Sequence, residues 1–363
     1  MTERGNEKMR LSTSARQYPV LDFARLYCAF LVVVLHVFEV TRPHTVWEFL
    51  CGCFFEQAVP FFFVVSGFFF AKKLEACDYS LRTTWLYVRD RLLLYAAWTV
   101  LWMPYLLHIY LDKYPDGSAL YIAVLLVRRI AIAGSGVYWY ILVMAEAAAV
   151  IGVLMHLKLE KLLYLLAAVG LALRYCYDLQ PALPGVAQIN QAFYYVFSWS
   201  NNVVMSGLPF MTVGLFFAKH MQKRTAPSAA LIAAYAGASG VHIVWYLTFG
   251  VRSDNLSCSF LFPIQTICLF WFGMQTTVGT KPQTALAVRE ISAVVYFMHT
   301  VFIYGVFDAL FGVDSSVAVK FFGSIALSVV TYLLVRATHW KPLYWLFGMK
   351  YTRRIPQAKE TTA

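Results

Sequence analysis

An arginine and a histidine stand inside an apolar stretch, residues 18–40, that is long enough to cross a membrane. A spanning helix needs about 20 apolar residues, each rising 1.5 Å. Arg25 and His36 are eleven residues apart, or about 1,100° of helical rotation, so both side chains leave the same helix face. Asp22 and Glu39 lie near that stripe. Ionisable groups within a membrane normally face a protein interior or a wet cavity, so the stripe is the first candidate site.

A structural alternative for this stripe pairs Arg25 with Asp22 and bonds His36 to a backbone carbonyl. The elements that position these residues follow from the composition. The chain has 363 residues, 60% of them hydrophobic and 13% charged. Soluble domains average about 45–50% apolar and about 25% charged residues. The sequence therefore predicts an all-α polytopic membrane protein, and the same composition argues against a soluble enzyme.

The formal charge of +11 is not read as nucleic-acid binding, because basic residues set the orientation of membrane proteins. Seven cysteines are scattered along the chain, and Cys51 and Cys53 are the only close pair. No histidine spacing beside them is typical of a metal site. We therefore predict no metal and no nucleic-acid partner, and a chain whose partners include membrane lipids.

About ten transmembrane helices are predicted, each by its length against the bilayer core. They are residues 18–40, 47–71, 85–109, 137–155, 162–177, 195–218, 228–249, 257–279, 289–311 and 316–338. The apolar stretch 121–132 is too short to span and contains two arginines, which predicts an interfacial helix. The predicted organisation is a cytoplasmic segment 1–17, a transmembrane domain 18–338 and a cytoplasmic basic tail 339–363.

The distribution of Lys and Arg predicts the orientation of these helices. With a cytoplasmic N-terminus, 22 of the 30 basic residues fall in inner segments and seven in outer ones, while Arg25 lies within the membrane. Positive charge accumulates on the cytoplasmic side of membrane proteins. Both termini are therefore predicted to be cytoplasmic.

Further candidates lie in the second and third spans. Ser66 precedes Gly67, and small residues let neighbouring helices approach closely. The glycine-flanked elbow of serine hydrolases is absent here. A packing role is therefore favoured over a nucleophilic role for Ser66. Arg89 and Arg91 begin the third span at the predicted cytoplasmic surface. Their planar guanidinium groups suit phosphate oxygens, although positive-inside anchoring explains them equally well.

The fourth and ninth spans carry the remaining candidates. Glu146 lies two turns beyond the aromatic run 138–140, and Tyr296 is followed three residues later by His299. An intramembrane carboxyl is a candidate site by its cost alone. A lone intramembrane histidine is more often a satisfied interhelical bond than a catalyst.

Together these motifs resemble acyltransferase family 3, ten-span bacterial membrane enzymes that O-acylate surface glycans and related acceptors. The resemblance covers residues 21 to about 338. Its strongest marks are Asp22 with Arg25 and His36 at the family's spacing, followed by the run 63–68 containing Ser66 and Gly67. Weaker marks are the following residues: Arg89, Arg91, Tyr296 and His299. The chain is similar to the stand-alone subgroup, which has no appended hydrolase-like domain.

The sequence also departs from the family pattern at two places. Leu94 stands where members often have a further arginine, and no clear acidic pair follows Trp139. The second departure bears on the acceptor, because many glycan-modifying members carry that pair.

The resemblance implies a multi-pass O-acetyltransferase of the cell envelope in the bacterial cytoplasmic (plasma) membrane. By the same resemblance its donor substrate would be acyl-CoA, in particular acetyl-CoA. No bound cofactor is implied. Its acceptor would be a hydroxyl of a carbohydrate or lipid-linked glycan. His36 would be the general base, because histidine titrates near neutral pH. Arg25 would stabilise the thioester end and the developing oxyanion, and Arg89 and Arg91 would hold the phosphates.

Two other function classes use the same features. A transporter or flippase would pass a polar solute or glycan precursor along the charged stripe. A membrane anchor or sensor would need one ligand site and no base. Net movement of an unmodified solute would identify the first, and full function of His36→Ala the second.

The predicted orientation has a direct test in reporter fusions or thiol labelling at loop positions. We expect outer-face signals at four positions, Thr45, Pro115, Ser253 and Asp314, and inner-face signals at two, Cys77 and Pro227. These follow from the basic residues that mark the inner loops. An outer-face C-terminal tail would contradict the orientation and the cytoplasmic placement of Arg89 and Arg91.

Overall fold

We describe the protein from a computed structural model. It describes residues 18–38, 54–55, 57–178, 191, 201–249, 261–313 and 316–351, which contain helices, turns and loops and no strand. Thirteen α-helices lie in these ranges. They are α1 Pro19–Val37, α2 Ala58–Ala76, α3 Leu81–Lys113, α4 Ala119–Arg128, α5 Trp139–His156, α6 Glu160–Asp178, α7 Leu208–Phe216, α8 Ser228–Phe249, α9 Phe262–Gln275, α10 Pro282–Phe302, α11 Asp308–Phe311, α12 Val317–Thr338 and α13 Lys341–Leu346.

The all-α prediction is confirmed for the described residues, and six of their helical runs are long and apolar enough to cross a membrane. These runs are Pro19–Val37, Leu81–Lys113, Ala119–His156, Val203–Met221, Pro282–Phe311 and Val317–Thr338. The number of ten spans and the cytoplasmic termini stay predictions.

Helix ends differ from the predicted segment ends. The second predicted segment stops at residue 71, whereas α2 continues to Ala76; the part of that segment before residue 54 lies outside the described residues. The third segment begins at residue 85, whereas α3 begins at Leu81, where the Ser80 side chain accepts a hydrogen bond from the Arg82 backbone N–H. Apolar length marks only the bilayer-crossing part, and the helices continue into polar residues at the membrane surface.

Short π-helical turns join several helices end to end. Val203–Gly207 leads into α7, Phe217–Met221 follows it, and Ile303–Phe307 continues α10. A fourth turn of this kind, Arg129–Ala133, follows α4, so the stretch predicted as an interfacial helix is helical throughout. Single π-turns inside helices are frequent at functional sites.

A very close helix contact joins α2 to α7. A Cβ atom added to Gly67 would lie 2.1 Å from the carbonyl oxygen of Met211, and one added to Gly214 would lie 2.1 Å from that of Val64. Only glycine allows backbones to approach so closely. The packing role predicted for the Ser66–Gly67 pair is therefore visible at Gly67, and it directs Ser66 to another face of α2.

Gly67→Ala should destabilise the protein, because the added methyl group must push α2 and α7 apart. We expect a loss of about 1–3 kcal/mol in the free energy of unfolding, as for other overpacked cores. Thermal unfolding in detergent measures it, with Gly237→Ala as the control, since a Cβ at Gly237 meets no atom within 4 Å. Equal melting temperatures for the two variants would contradict the close contact.

Candidate functional site

A cavity of about 540 Å³ opens among α1, α2, α3, α5, α10 and the segment after α13. Helix α1 contributes Arg25 alone. The lining residues of the other helices recur at intervals of three or four, which is the spacing of one helix face. The residues on α2 are Phe62, Ser66, Phe69, Phe70 and Lys73, those on α3 are Tyr87, Arg91 and Leu94, and those on α10 are Arg289, Ser292, Ala293, Tyr296 and Phe297. Helix faces therefore form most of the cavity wall, and the segment after α13 forms the rest.

Positive charge dominates the polar lining of this cavity. Five cationic side chains line it: Arg25, Lys73, Arg91, Arg289 and Lys350. No aspartate or glutamate is among the lining residues, and only Arg25 of the five cations forms a salt bridge with a described residue, Asp22, so the lining has an excess of positive charge. An anion with several negative charges is the ligand that such a lining attracts.

Arg91 is placed to bind within the cavity. Its guanidinium lies 5.1 Å from the ring centre of Tyr87, and its Nε is buried with no hydrogen-bond acceptor among the described residues. Buried donors normally have a partner. A phosphate oxygen would supply that partner and would match the planar guanidinium.

Arg25 is held by two contacts at the cavity wall. Its Nη1 donates to Asp22 Oδ1 at 2.9 Å, with side chains 16% and 11% exposed, and its guanidinium lies 5.0 Å from the ring centre of Phe69. The structural alternative for Arg25 is therefore correct as far as the ion pair goes. Because Arg25 also lines the cavity, pairing and ligand binding are both open to it.

Hydroxyl groups also line the cavity. Ser66 Oγ lies 2.9 Å from the hydroxyl of Tyr140, and the Tyr140 ring centre is 5.7 Å from that of Tyr296. The Tyr296 hydroxyl donates to the carbonyl oxygen of Val137 at 2.6 Å. These phenols form a neutral, partly polar wall.

Two histidines meet beyond Tyr296, outside the cavity lining. The ring of Tyr296 is 6.3 Å from that of His299, and the rings of His299 and His36 are 5.1 Å apart. His36 Nδ1 lies 3.3 Å from the hydroxyl of Tyr304, which belongs to the π-turn after α10. The fold therefore brings together the two histidines that the sequence placed 263 positions apart.

The tautomer of His299 follows from its surroundings. This side chain is fully buried, and its Nδ1 lies 3.0 Å from the carbonyl oxygen of Val295. A carbonyl only accepts, so Nδ1 carries the proton and Nε2 is an acceptor. Nε2 has no hydrogen-bond partner among the described residues. The bond of His299 lies within α10 and is not the interhelical bond predicted for a lone histidine, and its Nε2 stays an acceptor without a partner among the described residues.

The other predicted site residues lie apart from this arrangement. Arg89 pairs with Asp90 at 2.9 Å, with both side chains about half exposed (48% and 50%), and does not line the cavity. Glu146 does not line it either and forms no ion pair or hydrogen bond with another described residue. Glu39 lies outside the described residues. Among the described residues, no group of three or more His, Cys, Asp or Glu could hold a metal ion.

A sequence profile described as an acyltransferase domain matches residues 18–336. This span includes the charged helix α1, the cavity-lining helices and both histidines. The chain belongs to acyltransferase family 3. No curated protein and no solved structure matches it significantly.

Membership of acyltransferase family 3 makes this protein a membrane acyltransferase. It also favours the enzyme over the transporter and sensor alternatives, because transfer chemistry is what the family shares. Within the acyltransferase, the cationic cavity and the histidine pair are two separate sets of groups joined through Tyr296.

Sequence reasoning missed several cavity residues of the acyltransferase. The sequence counts Lys73 and Arg289 only among the 22 inner basic residues. It places Lys350 in the predicted tail 339–363 and Tyr140 in the aromatic run 138–140. A signal for Arg289 was available: it stands seven residues before Tyr296, which is two helical turns on the same face. Lys350 had no such signal, because its place depends on how the chain folds back after α12.

Proposed function

We propose that this acyltransferase moves an acyl group, acetyl by family resemblance, from acyl-CoA to a hydroxyl of a cell-surface glycan or related acceptor in the bacterial plasma membrane. The observation that carries the proposal is the cavity with five cationic and no acidic lining residues. Coenzyme A carries several phosphate charges at one end and a thioester at the other. Such a donor fits a site whose lining has both cationic groups and neutral hydroxyls.

Donor binding would use the cationic part of the cavity. Arg91, with its unpartnered Nε, and Arg289 would bind phosphate oxygens, and Lys73 would add a charge from the end of α2. Charge-assisted hydrogen bonds are about twice as strong as neutral ones. The acyl-bearing arm would then extend along the hydroxyl wall towards Tyr296.

Proton transfer would use His36. With its proton on Nδ1, facing Tyr304, its Nε2 is the acceptor that a general base needs. His36 takes the proton of the acceptor hydroxyl, whose oxygen attacks the thioester carbonyl carbon. The carbon–sulfur bond then breaks, and the CoA thiolate leaves and recovers the proton from His36. The products are an ester and CoA with a free thiol.

The separation of the two α1 residues refines the role of Arg25. Eleven residues correspond to about 16 Å along a helix, whereas an oxyanion donor must come within about 3 Å of the developing charge. One guanidinium does not reach both the cavity wall, where Arg25 lies beside Phe69, and a carbonyl attacked beside His36. We therefore assign Arg25 to donor binding and leave oxyanion stabilisation to groups near His36.

Asp22 supports this role for Arg25. The ion pair lowers the cost of holding a guanidinium in the membrane domain, and it fixes one edge of the guanidinium, where Nη1 bonds Asp22. The remaining donors of Arg25 stay available to the ligand, since the fork carries five N–H groups.

The two neighbouring arginines of α3 give a matched test of donor binding. Arg91→Gln should raise the Michaelis constant for acetyl-CoA more than about tenfold, because one charge-assisted contact contributes about 1.5–3 kcal/mol. Arg89→Gln should leave it nearly unchanged, because Arg89 pairs with Asp90 outside the cavity. Initial rates in membranes with equal protein levels measure both.

Two results would contradict this assignment. One is an unchanged Michaelis constant in Arg91→Gln. The other is an equal increase in both variants, which would show that the arginines act through surface charge or membrane insertion instead of through the cavity.

His36→Ala should abolish acyl transfer while acetyl-CoA still binds, because removing a base slows the chemical step and not the docking of the donor. Leu35→His combined with His36→Leu is the matched control: it keeps a histidine in α1 but rotates it by about 100°, so it should also be inactive. Labelled acetyl-CoA measures both transfer and binding. Near-normal transfer by His36→Ala at wild-type protein levels would end the general-base assignment.

A further inference from the structure

The chain turns back after α12 and covers part of the cavity. We call residues 347–350, which follow α13, the tail wall. Three of its residues, Phe347, Gly348 and Lys350, line the cavity together with residues of α1, α2, α3, α5 and α10. Part of the segment predicted as a separate basic tail, residues 347–350, therefore forms a wall of the candidate site.

A buried carboxylate holds the tail wall in place. Glu290 is 3% exposed, and its Oε1 accepts a hydrogen bond from the backbone N–H of Lys350 at 3.1 Å. Its Oε2 forms an ion pair with Arg336 near the end of α12. Gly348, at φ +63°, provides the left-handed turn that brings Lys350 back to Glu290.

Aromatic packing fixes the other side of the tail wall. Trp98 Nε1 donates to the carbonyl oxygen of Leu346 at 2.9 Å, and the Trp98 ring lies 5.6 Å from that of Phe347. Trp98 also stacks on Phe297 of α10, with centroids 4.9 Å apart and planes 8° from parallel. The tail wall is thus tied to α3 and α10, the two helices that also carry Arg91 and Arg289.

The position of Lys350 is what points to a ligand. Glu290 is bonded to the backbone of Lys350 and to Arg336, and the Lys350 ammonium forms no ion pair with another described residue. The ammonium stands at a cavity that already contains two arginines of α3 and α10 and has no acidic lining. A segment with a packing role alone has no need of an unpaired cation on this surface.

We propose that the tail wall is part of the donor site, with Lys350 contacting the phosphates of acyl-CoA and Glu290 acting as a positioning residue that holds Lys350 there. This inference rests on the proposed function, because it takes acyl-CoA as the ligand. It adds a binding element from the C-terminal end of the chain to a site otherwise built by transmembrane helices.

The first experiment compares two donors that differ in their phosphates, acetyl-CoA and S-acetylpantetheine, which has none. Lys350→Gln should raise the Michaelis constant for acetyl-CoA about fivefold, the upper end for an exposed charge pair. It should leave the turnover number and the Michaelis constant for S-acetylpantetheine unchanged. Lys341→Gln is the control, because Lys341 is an exposed lysine of the same segment that stands over Tyr351, outside the cavity.

The second experiment needs no activity. Lys350→Cys should react with a maleimide in membranes, and it should be protected by CoA with a blocked thiol (S-methyl-CoA, which cannot consume the maleimide) and by adenosine 3′,5′-bisphosphate. Native Cys77, which is exposed, should react equally with and without these ligands. Adding Glu290→Gln should remove most of the protection at position 350, if thermal unfolding shows that the variant is folded. If it does not fold, Gly348→Ala is the alternative, since it strains the left-handed turn without a clash.

The outcomes separate this inference from the proposed function. If Arg91→Gln weakens acetyl-CoA use and Lys350→Gln does not, or if S-methyl-CoA gives no protection at position 350, the tail wall is structural only and the inference is overturned. A loss that is the same for acetyl-CoA and S-acetylpantetheine would also overturn it, because it would not depend on phosphate. If the wild-type protein transfers no acyl group from either donor, the proposed function fails and the inference fails with it.

Discussion

The structure depends on how positive charge is kept inside an apolar bundle. A guanidinium or ammonium group in a membrane domain is costly unless it is paired or faces a wet cavity. Arg25 meets both conditions, through the ion pair with Asp22 and its place at the cavity wall. The other cationic groups of the cavity share the second condition only, and their excess of charge is what the proposed polyanionic ligand would neutralise.

Close helix packing on one side of α2 leaves room on the other. The glycine contacts with α7 press the two backbones together, so the larger side chains of α2 point elsewhere. Phe62, Ser66 and Phe69 then face the cavity. The same helix therefore has one face in tight contact with α7 and another that lines the cavity. Gly67 lies on the first face, and the larger Phe62 and Phe69 lie on the second.

The chemistry of an acyltransferase requires the donor and the acceptor to meet at one carbonyl carbon. In this protein the cationic groups of the cavity and the histidine pair occupy different levels of the bundle. Tyr296 lies between them, because it lines the cavity and its ring is 6.3 Å from that of His299. A long donor such as acyl-CoA suits such a separation. It can be held at one end by charge while its thioester reaches the other level.

Much of this could be read from the sequence by itself. Apolar length and composition determined an all-helical membrane protein, and the period of the helix put Arg25 and His36 on one face, because both properties are local. Family motifs then indicated an acyltransferase, with His36, Arg91 and His299 as candidate site residues. Residues of this kind stand out because charged groups in apolar runs are rare.

Only the tertiary structure decided which of these residues share a site. Two arginines two positions apart on α3 cannot both face one cavity, since about 200° of rotation separates them; Arg91 lines it and Arg89 pairs with Asp90 outside. The contact of His36 with His299 and Tyr304, and the return of Lys350 to Glu290, join segments far apart in the chain. Local periodicity fixes the direction of a side chain around its own helix, but its neighbours are fixed by how the helices pack.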